Sequence, residues 1–275
     1  MFASCRQRHH RLAPFVVLFL TSAAAPAADV LPVDQGMCDR MRAAHVLNEG
    51  APVGCERLRV VRFAYIDFNG GHHDDGQIMV LDAVADNVQA IFRALEVRKF
   101  PIAKAKLMDE YGGNDDKSMD DNNTSCFNDR PVTGGSTPSL HAYGLAIDVN
   151  PVQNPYIQFD QGKGSFSPQA GTGFANRLNA RPAKAIRPGL AEEVVDVFAD
   201  NGFLVWGGYW DTPIDYQHFQ VHGKMAERLA KSTPDQARSL FSAYVERYRS
   251  CRALRRSEDP ASARAACVDF AGNQS

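Results

Sequence analysis

Apolar and polar positions alternate in one early segment of the chain, which a short polar, glycine-rich stretch separates from a second, mostly apolar segment. Val61, Phe63 and Tyr65 alternate with polar neighbours, and residues 77–81 have the composition of a second strand. Asn69-Gly70-Gly71 lies between these segments and is typical of a turn. The pattern predicts a β-hairpin.

Farther along, apolar positions recur at intervals of three and four, which is the spacing of an amphipathic helix. We predict a helix ending near Val97 with Asp82 as its N-cap, and a second helix over residues 190–201. Residues 226–267 are also predicted to be helical, with Pro234 at a helix start and a break at Pro260. The apolar positions of the first helix are Val84, Val88, Ile91, Phe92 and Leu95.

Two stretches, residues 139–150 and 203–221, contain short runs typical of strands. Residues 112–135 are rich in Gly, Asn, Asp and Ser and predict a long ordered loop, a feature that is usually functional in a compact domain. The expected fold is α+β, with a small mixed or antiparallel sheet, flanking helices and a C-terminal helical extension.

The first 27 residues have the pattern of a cleavable secretory signal. Three arginines, Arg6, Arg8 and Arg11, precede an uncharged apolar stretch, and Ala25-Pro26-Ala27 supplies small residues for cleavage. The alternative is an uncleaved membrane anchor, although the stretch is close to the minimum length for a span. We therefore expect export and no stable membrane insertion after cleavage.

Composition limits the class of protein. The chain has 275 residues, 44% hydrophobic and 23% charged, which is ordinary for a globular protein. Its formal charge of −2 falls to −5 without the three signal arginines. A nucleic-acid partner is not expected, because there is no excess of Lys and Arg to neutralise phosphates.

Five cysteines remain after signal cleavage, and export would place them in an oxidising compartment. Proximity along the chain predicts the pairs Cys38–Cys55 and Cys251–Cys267. Cys126 is then left as a free thiol, which we interpret as a small buried hydrophobe rather than a nucleophile.

Candidate chemistry is concentrated in Ser139-Leu140-His141-Ala142-Tyr143-Gly144-Leu145-Ala146-Ile147-Asp148. A turn at Tyr143-Gly144 could fold His141 back beside Asp148. Zinc accepts both nitrogen and oxygen ligands, so this pair suits a zinc site. The alternative is a surface histidine with an aspartate partner.

The segment 206–220 offers a third ligand, His218, with Asp215 three residues before it. Three protein ligands leave the fourth zinc position for a water molecule, whose pKa can fall toward ~7. Asp215 could then serve as the acid/base. His222, four residues after His218, is the rival third ligand.

Together, the two motifs resemble those of the zinc D-alanyl-D-alanine carboxypeptidases and L-alanyl-D-glutamate endopeptidases of peptidoglycan. The family pattern is Ser-x-His-x-x-Gly-x-Ala-x-Asp followed by Glu or Asp, two residues, then His. The resemblance covers roughly residues 63–221, and the Trp-Gly-Gly run with Asp215 is most similar to the phage endolysin branch. Matching positions are Ser139, His141, Gly144, Ala146, Asp148, Asp215 and His218.

Carried over by position, the resemblance implies one zinc ion held by His141, Asp148 and His218, with Asp215 as acid/base. It also implies that Arg130 stabilises the anionic intermediate or holds substrate, the alternative being a structural salt bridge. Gln220 departs from the family, where many members have Glu, and a lost carboxylate could weaken a ligand. Substrate-side residues are expected to be Ser139, Trp206 and Tyr143, the last two also serving as packing and cleft-wall residues.

These features predict an exported zinc peptidase that cuts peptidoglycan stem peptides, with L-Ala–D-Glu cleavage favoured over removal of terminal D-Ala. The alternative is a non-catalytic cell-wall-binding or scaffold protein that retains the fold. His72-His73-Asp74-Asp75 is interpreted as a solvated turn rather than a second metal site. Expected domains are a signal at 1–27, an extension at 28–60, a catalytic domain at 61–225 and a helical extension at 226–275.

Overall fold

The computed structural model describes residue 1 and residues 30–273. The predicted signal at 1–27 therefore lies outside the described residues, apart from Met1. Within those residues the fold is α+β, as predicted, with three small antiparallel sheets and flanking helices.

The first sheet has the order β1 (Val30–Pro32), β2 (Leu58–Ile66), β3 (His72–Leu81). The strands β2 and β3 form the predicted hairpin, with Val61 opposite Ile78. Its turn is fixed by Asp67, whose carboxylate accepts hydrogen bonds from two backbone N–H groups of the turn at 2.7 and 2.8 Å.

Helix α2 (Ala85–Val97) packs its apolar stripe on this sheet, and the rings of Phe63 and Phe92 stack 3.7 Å apart. The predicted N-cap role of Asp82 is wrong. Residues 82–84 form a 3₁₀ turn before the helix, and the Asp82 carboxylate accepts hydrogen bonds from Arg57 instead. A charged guanidinium that donates two hydrogen bonds satisfies the carboxylate better than a neutral backbone N–H would.

The predicted polar loop is ordered and carries one short helix, α3 (Asp115–Asp120). Farther on, the loop joins the first sheet to the second, because Phe127 N–H donates to Met79 and Ser125 exchanges two backbone hydrogen bonds with Asp148. The second sheet has the order β4 (Ala146–Asp148), β9 (His218–Gln220), β7 (Val205–Trp206). Its register places Asp148 directly opposite His218.

The third sheet has the order β6 (Lys163–Ser167), β5 (Tyr156–Asp160), β8 (Ile214–Asp215). Strand β8 pairs Asp215 with Tyr156. The second and third sheets are thus connected by only two residues between β8 and β9, which brings Asp215 close to the strands that carry Asp148 and His218.

The remaining helices are α1 (Gln35–Ala43), α4 (Val195–Asp200), α5 (Gly223–Lys231), α6 (Pro234–Leu254) and α7 (Pro260–Asn273). The helix predicted over 190–201 begins with a 3₁₀ turn. Pro234 starts α6 as predicted, and the break predicted at Pro260 lies at residues 255–259, so that Pro260 begins α7. The core is continuous from the sheets into these last helices, through Leu229, Phe241, Tyr244, Tyr248 and Cys267.

Both predicted disulfides are confirmed. Cys38–Cys55 ties α1 to the start of β2, and Cys251–Cys267 joins α6 to α7. Cys126 is free and fully buried, and burial raises the pKa of its thiol well above the ordinary value. Among the described residues, no helix is both long and apolar enough to cross a membrane.

Candidate metal centre

A tight turn positions the first ligand candidate. Residues 140–143 form a 3₁₀ turn that ends at Gly144 in the left-handed conformation, with φ of 66°. A β-carbon at Gly144 would lie 2.7 Å from the backbone nitrogen of Leu81, so only glycine fits against β3. The turn returns the imidazole of His141 to Asp148, where its Nε2 lies 3.2 Å from Oδ2. The predicted juxtaposition is therefore observed.

Strand pairing supplies the third candidate. His218 Nδ1 lies 3.0 Å from Asp148 Oδ1 and 3.2 Å from His141 Nε2. Ligands bound at about 2.0–2.1 Å to one tetrahedral ion are separated by about 3.3 Å, so these spacings fit zinc. All three side chains are buried. Within the described part of the chain, this is the one group of three His, Cys, Asp or Glu side chains close enough to hold a metal ion.

The opposite nitrogen of each histidine has a fixed partner. His141 Nδ1 lies 2.6 Å from the carbonyl oxygen of Cys126, and His218 Nε2 lies 2.7 Å from Oε1 of Gln220. Both partners are acceptors, so in the neutral form that binds a metal each of these nitrogens carries the proton, and His141 Nε2 and His218 Nδ1 offer the lone pairs. Gln220 thus supplies an acceptor at the position where many family members have Glu.

The cluster is electrostatically coupled. Burial would raise the pKa of Asp148, but the charge and hydrogen bond of His141, together with His218, hold it well below the usual range. Burial would lower the pKa of His218, and the hydrogen bond and charge of Asp148 outweigh it and raise the value to about 8. Asp148 is therefore ionised at neutral pH, as a metal-binding carboxylate must be.

Asp215 lies on β8 at the edge of this cluster. Its Oδ1 is buried and has no hydrogen-bond partner within the described structure. Burial and the charge of Asp148 raise the pKa of Asp215, against the opposing effects of His218 and Arg130. A buried carboxyl group with an elevated pKa can both accept and return a proton near neutral pH, which suits general acid/base chemistry.

These residues share one cavity of about 580 Å³. Ser139 reaches it from the turn before His141, where its Oγ also accepts the His141 N–H at 3.3 Å. Arg130 reaches it from the long loop and forms a salt bridge with Asp115. Both the substrate-facing and the structural interpretations of Arg130 therefore have a counterpart in the geometry.

Two predicted substrate-side residues lie outside the lining of this cavity. Trp206 is only 5% exposed and donates its indole N–H to the carbonyl of Tyr216 at 2.8 Å, while Tyr143 packs against the core. Any effect of either side chain on substrate would have to be indirect. Trp210 does line the cavity, and its ring centroid lies 5.5 Å from that of His218.

The structure gives the other candidates different positions. His222 precedes α5 and lies outside both the ligand cluster and the cavity lining, with its backbone N–H donating to Tyr244. In the hairpin, His72 contacts Glu96 and His73 contacts Asp67, at 3.1 and 3.0 Å.

Sequence reasoning did not single out Gln217, which lines the cavity beside Asp215. It is 3% exposed and its Oε1 has no hydrogen-bond partner in the described structure. Its only sequence signal is its place next to His218. Asp115 was also missed, because its contact with Arg130 depends on how the loop folds.

Two buried histidines and an aspartate, placed by a small antiparallel sheet and the turn before it, with a second aspartate beside them, form an arrangement typical of zinc hydrolases. Residues 133–221 match the family model described as D-alanyl-D-alanine carboxypeptidase, which confirms the resemblance to this zinc peptidase family. The search of curated proteins gave no match, and the search of solved structures gave none either.

Proposed function

We propose that this protein is a zinc peptidase that hydrolyses an amide bond in peptidoglycan stem peptides. The observation that carries the proposal is the convergence of His141, Asp148 and His218 at 3.0–3.2 Å, with Asp215 in the same cavity. All four residues lie within the segment that matches the peptidase family.

The ligand spacing, burial and charge of this cluster fit zinc. Bound by His141, Asp148 and His218, zinc would supply a Lewis acid that polarises a carbonyl group and acidifies water. Asp215 would take a proton from the attacking water and return it to the leaving amine nitrogen.

Arg130 is proposed to stabilise negative charge that develops on the carbonyl oxygen. A guanidinium remains charged and can donate several hydrogen bonds, so the salt bridge to Asp115 leaves donors available. Asp115 would thus orient the guanidinium of Arg130 and still leave some of its N–H groups free to donate to substrate.

Cleavage between L-Ala and D-Glu is the favoured reaction. An exopeptidase needs a cation that holds the terminal carboxylate, and Arg130 is the one Lys or Arg among the described residues that line the cavity. Because Arg130 is assigned to the carbonyl oxygen, no second cation of the described lining is left to hold a terminal carboxylate, and the charges of Asp115 and Asp116 oppose one. The description of the matched family favours the second candidate, removal of terminal D-Ala.

Defined muropeptides would test both the activity and the bond. The full-length protein without its signal should be incubated with a pentapeptide-stem substrate, and the products should be identified by mass spectrometry. We expect products split between L-Ala and D-Glu. Release of free D-Ala with that bond intact would identify the second candidate, and absence of cleavage by the zinc-loaded protein would favour a non-catalytic wall-binding role.

The proposed location is the bacterial periplasm. Two disulfides and the family of the matched segment fit an exported protein, and stem peptides are the expected partner.

A further inference from the structure

The C-terminal extension contacts the segment that flanks the candidate active site. Arg264 on α7 donates a hydrogen bond from Nη2 to the hydroxyl of Tyr209 at 2.6 Å. Its guanidinium carbon also lies 5.8 Å from the centre of the Tyr209 ring, within range of a cation–π interaction. Tyr209 is 59% exposed, so this contact provides a lateral support for an otherwise open side chain.

Tyr209 belongs to a segment, residues 206–210, that we call the aromatic wall. Its ring packs edge-on against Trp206 at 4.8 Å, and Trp210, the next residue, lies beside His218. The backbone of the wall at Gly207 also lies close to Asp215, the acid/base candidate. A β-carbon at Gly207 would lie 2.5 Å from the carbonyl oxygen of Asp215 and 2.9 Å from its Cβ. A shift of the wall therefore reaches both Asp215 and His218.

Arg264 is held on a fixed support. Cys267, one helical turn later, is bonded to Cys251 of α6, and both Ala263 and Cys267 are fully buried. Helix α6 is anchored in turn by Phe241, Tyr244 and Tyr248, which are among the most buried side chains of the core. Trp206 anchors one end of the aromatic wall in the core and in the second sheet. The exposed Tyr209 is supported separately, through Arg264 and the disulfide-linked helices.

We infer that Arg264 is a positioning residue for the cleft, acting through Tyr209, and that the disulfide-linked helices α6 and α7 hold the aromatic wall in place. The catalytic consequence rests on the proposed peptidase function. The structural consequence does not, because it concerns the position of the wall itself.

Intrinsic fluorescence can test the inference without substrate. The chain contains two tryptophans, Trp206 and Trp210, and both belong to the aromatic wall. We expect Arg264→Ala to increase acrylamide quenching of tryptophan fluorescence and to raise KM for a muropeptide by about 2- to 10-fold, the range for loss of one exposed or partly exposed hydrogen bond. The change in kcat should be smaller, and zinc content should be unchanged.

Matched variants separate this contact from a loss of charge. Arg256→Ala removes a positive charge from the same extension, where Arg256 is exposed, and should leave quenching and KM unchanged. Tyr209→Phe removes the same hydrogen bond from the other side. The double variant Arg264→Ala, Tyr209→Phe should be no worse than the more affected single variant. Arg264→Lys, which keeps a donor, should recover part of the effect.

The disulfide is tested in the same way. Replacing Cys251 and Cys267 by Ala should increase quenching, whereas replacing Cys38 and Cys55, on the N-terminal side, should not. Wild-type quenching in Arg264→Ala and in the Cys251/Cys267 variant would overturn the inference. If the protein cleaves none of the muropeptides, the quenching results still decide it, so the two proposals can fail separately.

Discussion

Substitution of two different histidines should have opposite effects on zinc binding. His141→Ala should abolish stoichiometric zinc binding, because it removes one of three convergent ligands. His222→Ala should retain zinc, because His222 lies outside the ligand cluster. Zinc per chain, measured by atomic absorption after dialysis, checks both. Loss of zinc from the His222 variant with retention in the His141 variant would reverse the ligand assignment.

Asp215 should affect turnover without affecting metal content. Asp215→Asn preserves the shape of the side chain but cannot exchange a proton, so we expect full zinc binding and a loss of at least ~10²-fold in kcat. Steady-state kinetics on a cleaved muropeptide provides the measurement. Near-normal turnover in a correctly metallated variant would exclude the acid/base role.

At this scale the sequence predicted the grouping of His141, Asp148 and His218. Each motif is short, and the resemblance to one family pattern joined the two motifs across 70 residues. It could not predict the partners that hold them. The carbonyl of Cys126 and the carboxylate of Asp115 come from a long loop, and their contacts depend on the tertiary path of that loop. The acceptor role of Gln220 depends on a side-chain rotation that no spacing encodes.

At the scale of elements, Arg57 joins three parts of the fold. It lies just before β2 and contacts both the 3₁₀ turn before α2 and the end of α5. Its guanidinium forms two hydrogen bonds with Asp82, at 2.8 and 3.0 Å, and donates to three carbonyls at the end of α5. Arg57→Met should lower the free energy of unfolding by about 3–5 kcal/mol, because it leaves the Asp82 carboxylate buried and unpaired. Urea denaturation measures this loss.

A second variant tests the cause. Arg57→Met combined with Asp82→Leu removes both charges, so it should recover a substantial part of the lost stability. A double variant as unstable as the single one would show that the α5 carbonyls, rather than the unpaired carboxylate, dominate the cost.

The elements were predictable where the hydrophobic pattern continues over many residues, as in the hairpin and α2. Asp82 shows where this reasoning stops. The local pattern favours Asp82 as a helix cap, but the side chain of Arg57, 25 residues earlier, binds the same carboxylate instead. Short strands such as β7 and β8 contain only two residues each, so they carry too little periodicity to define their register.

For the whole molecule, the continuous core predicts one cooperative unfolding transition. The two tryptophans report the catalytic region, whereas far-UV circular dichroism is dominated by helices, the longest of which, α6, lies in the C-terminal extension. Both probes should give the same urea midpoint, because Phe241, Tyr244 and Cys267 belong to the same core as the sheets. Two separate midpoints would show that residues 226–275 unfold independently.

The pairing of Asp148 with His218 across β4 and β9 links folding to metal supply. A shift of one residue in this register would replace His218 by Gln217 or Phe219, so a bound ion favours one alignment of the sheet over all others. If zinc binds the native state as proposed, its concentration should enter the folding equilibrium directly and add about 2.7 kcal/mol at a hundred times the dissociation constant. In a zinc-poor medium the two disulfides would still constrain residues 38–55 and 251–267, whereas the alignment of the second sheet would lack the stabilisation that a bound ion adds.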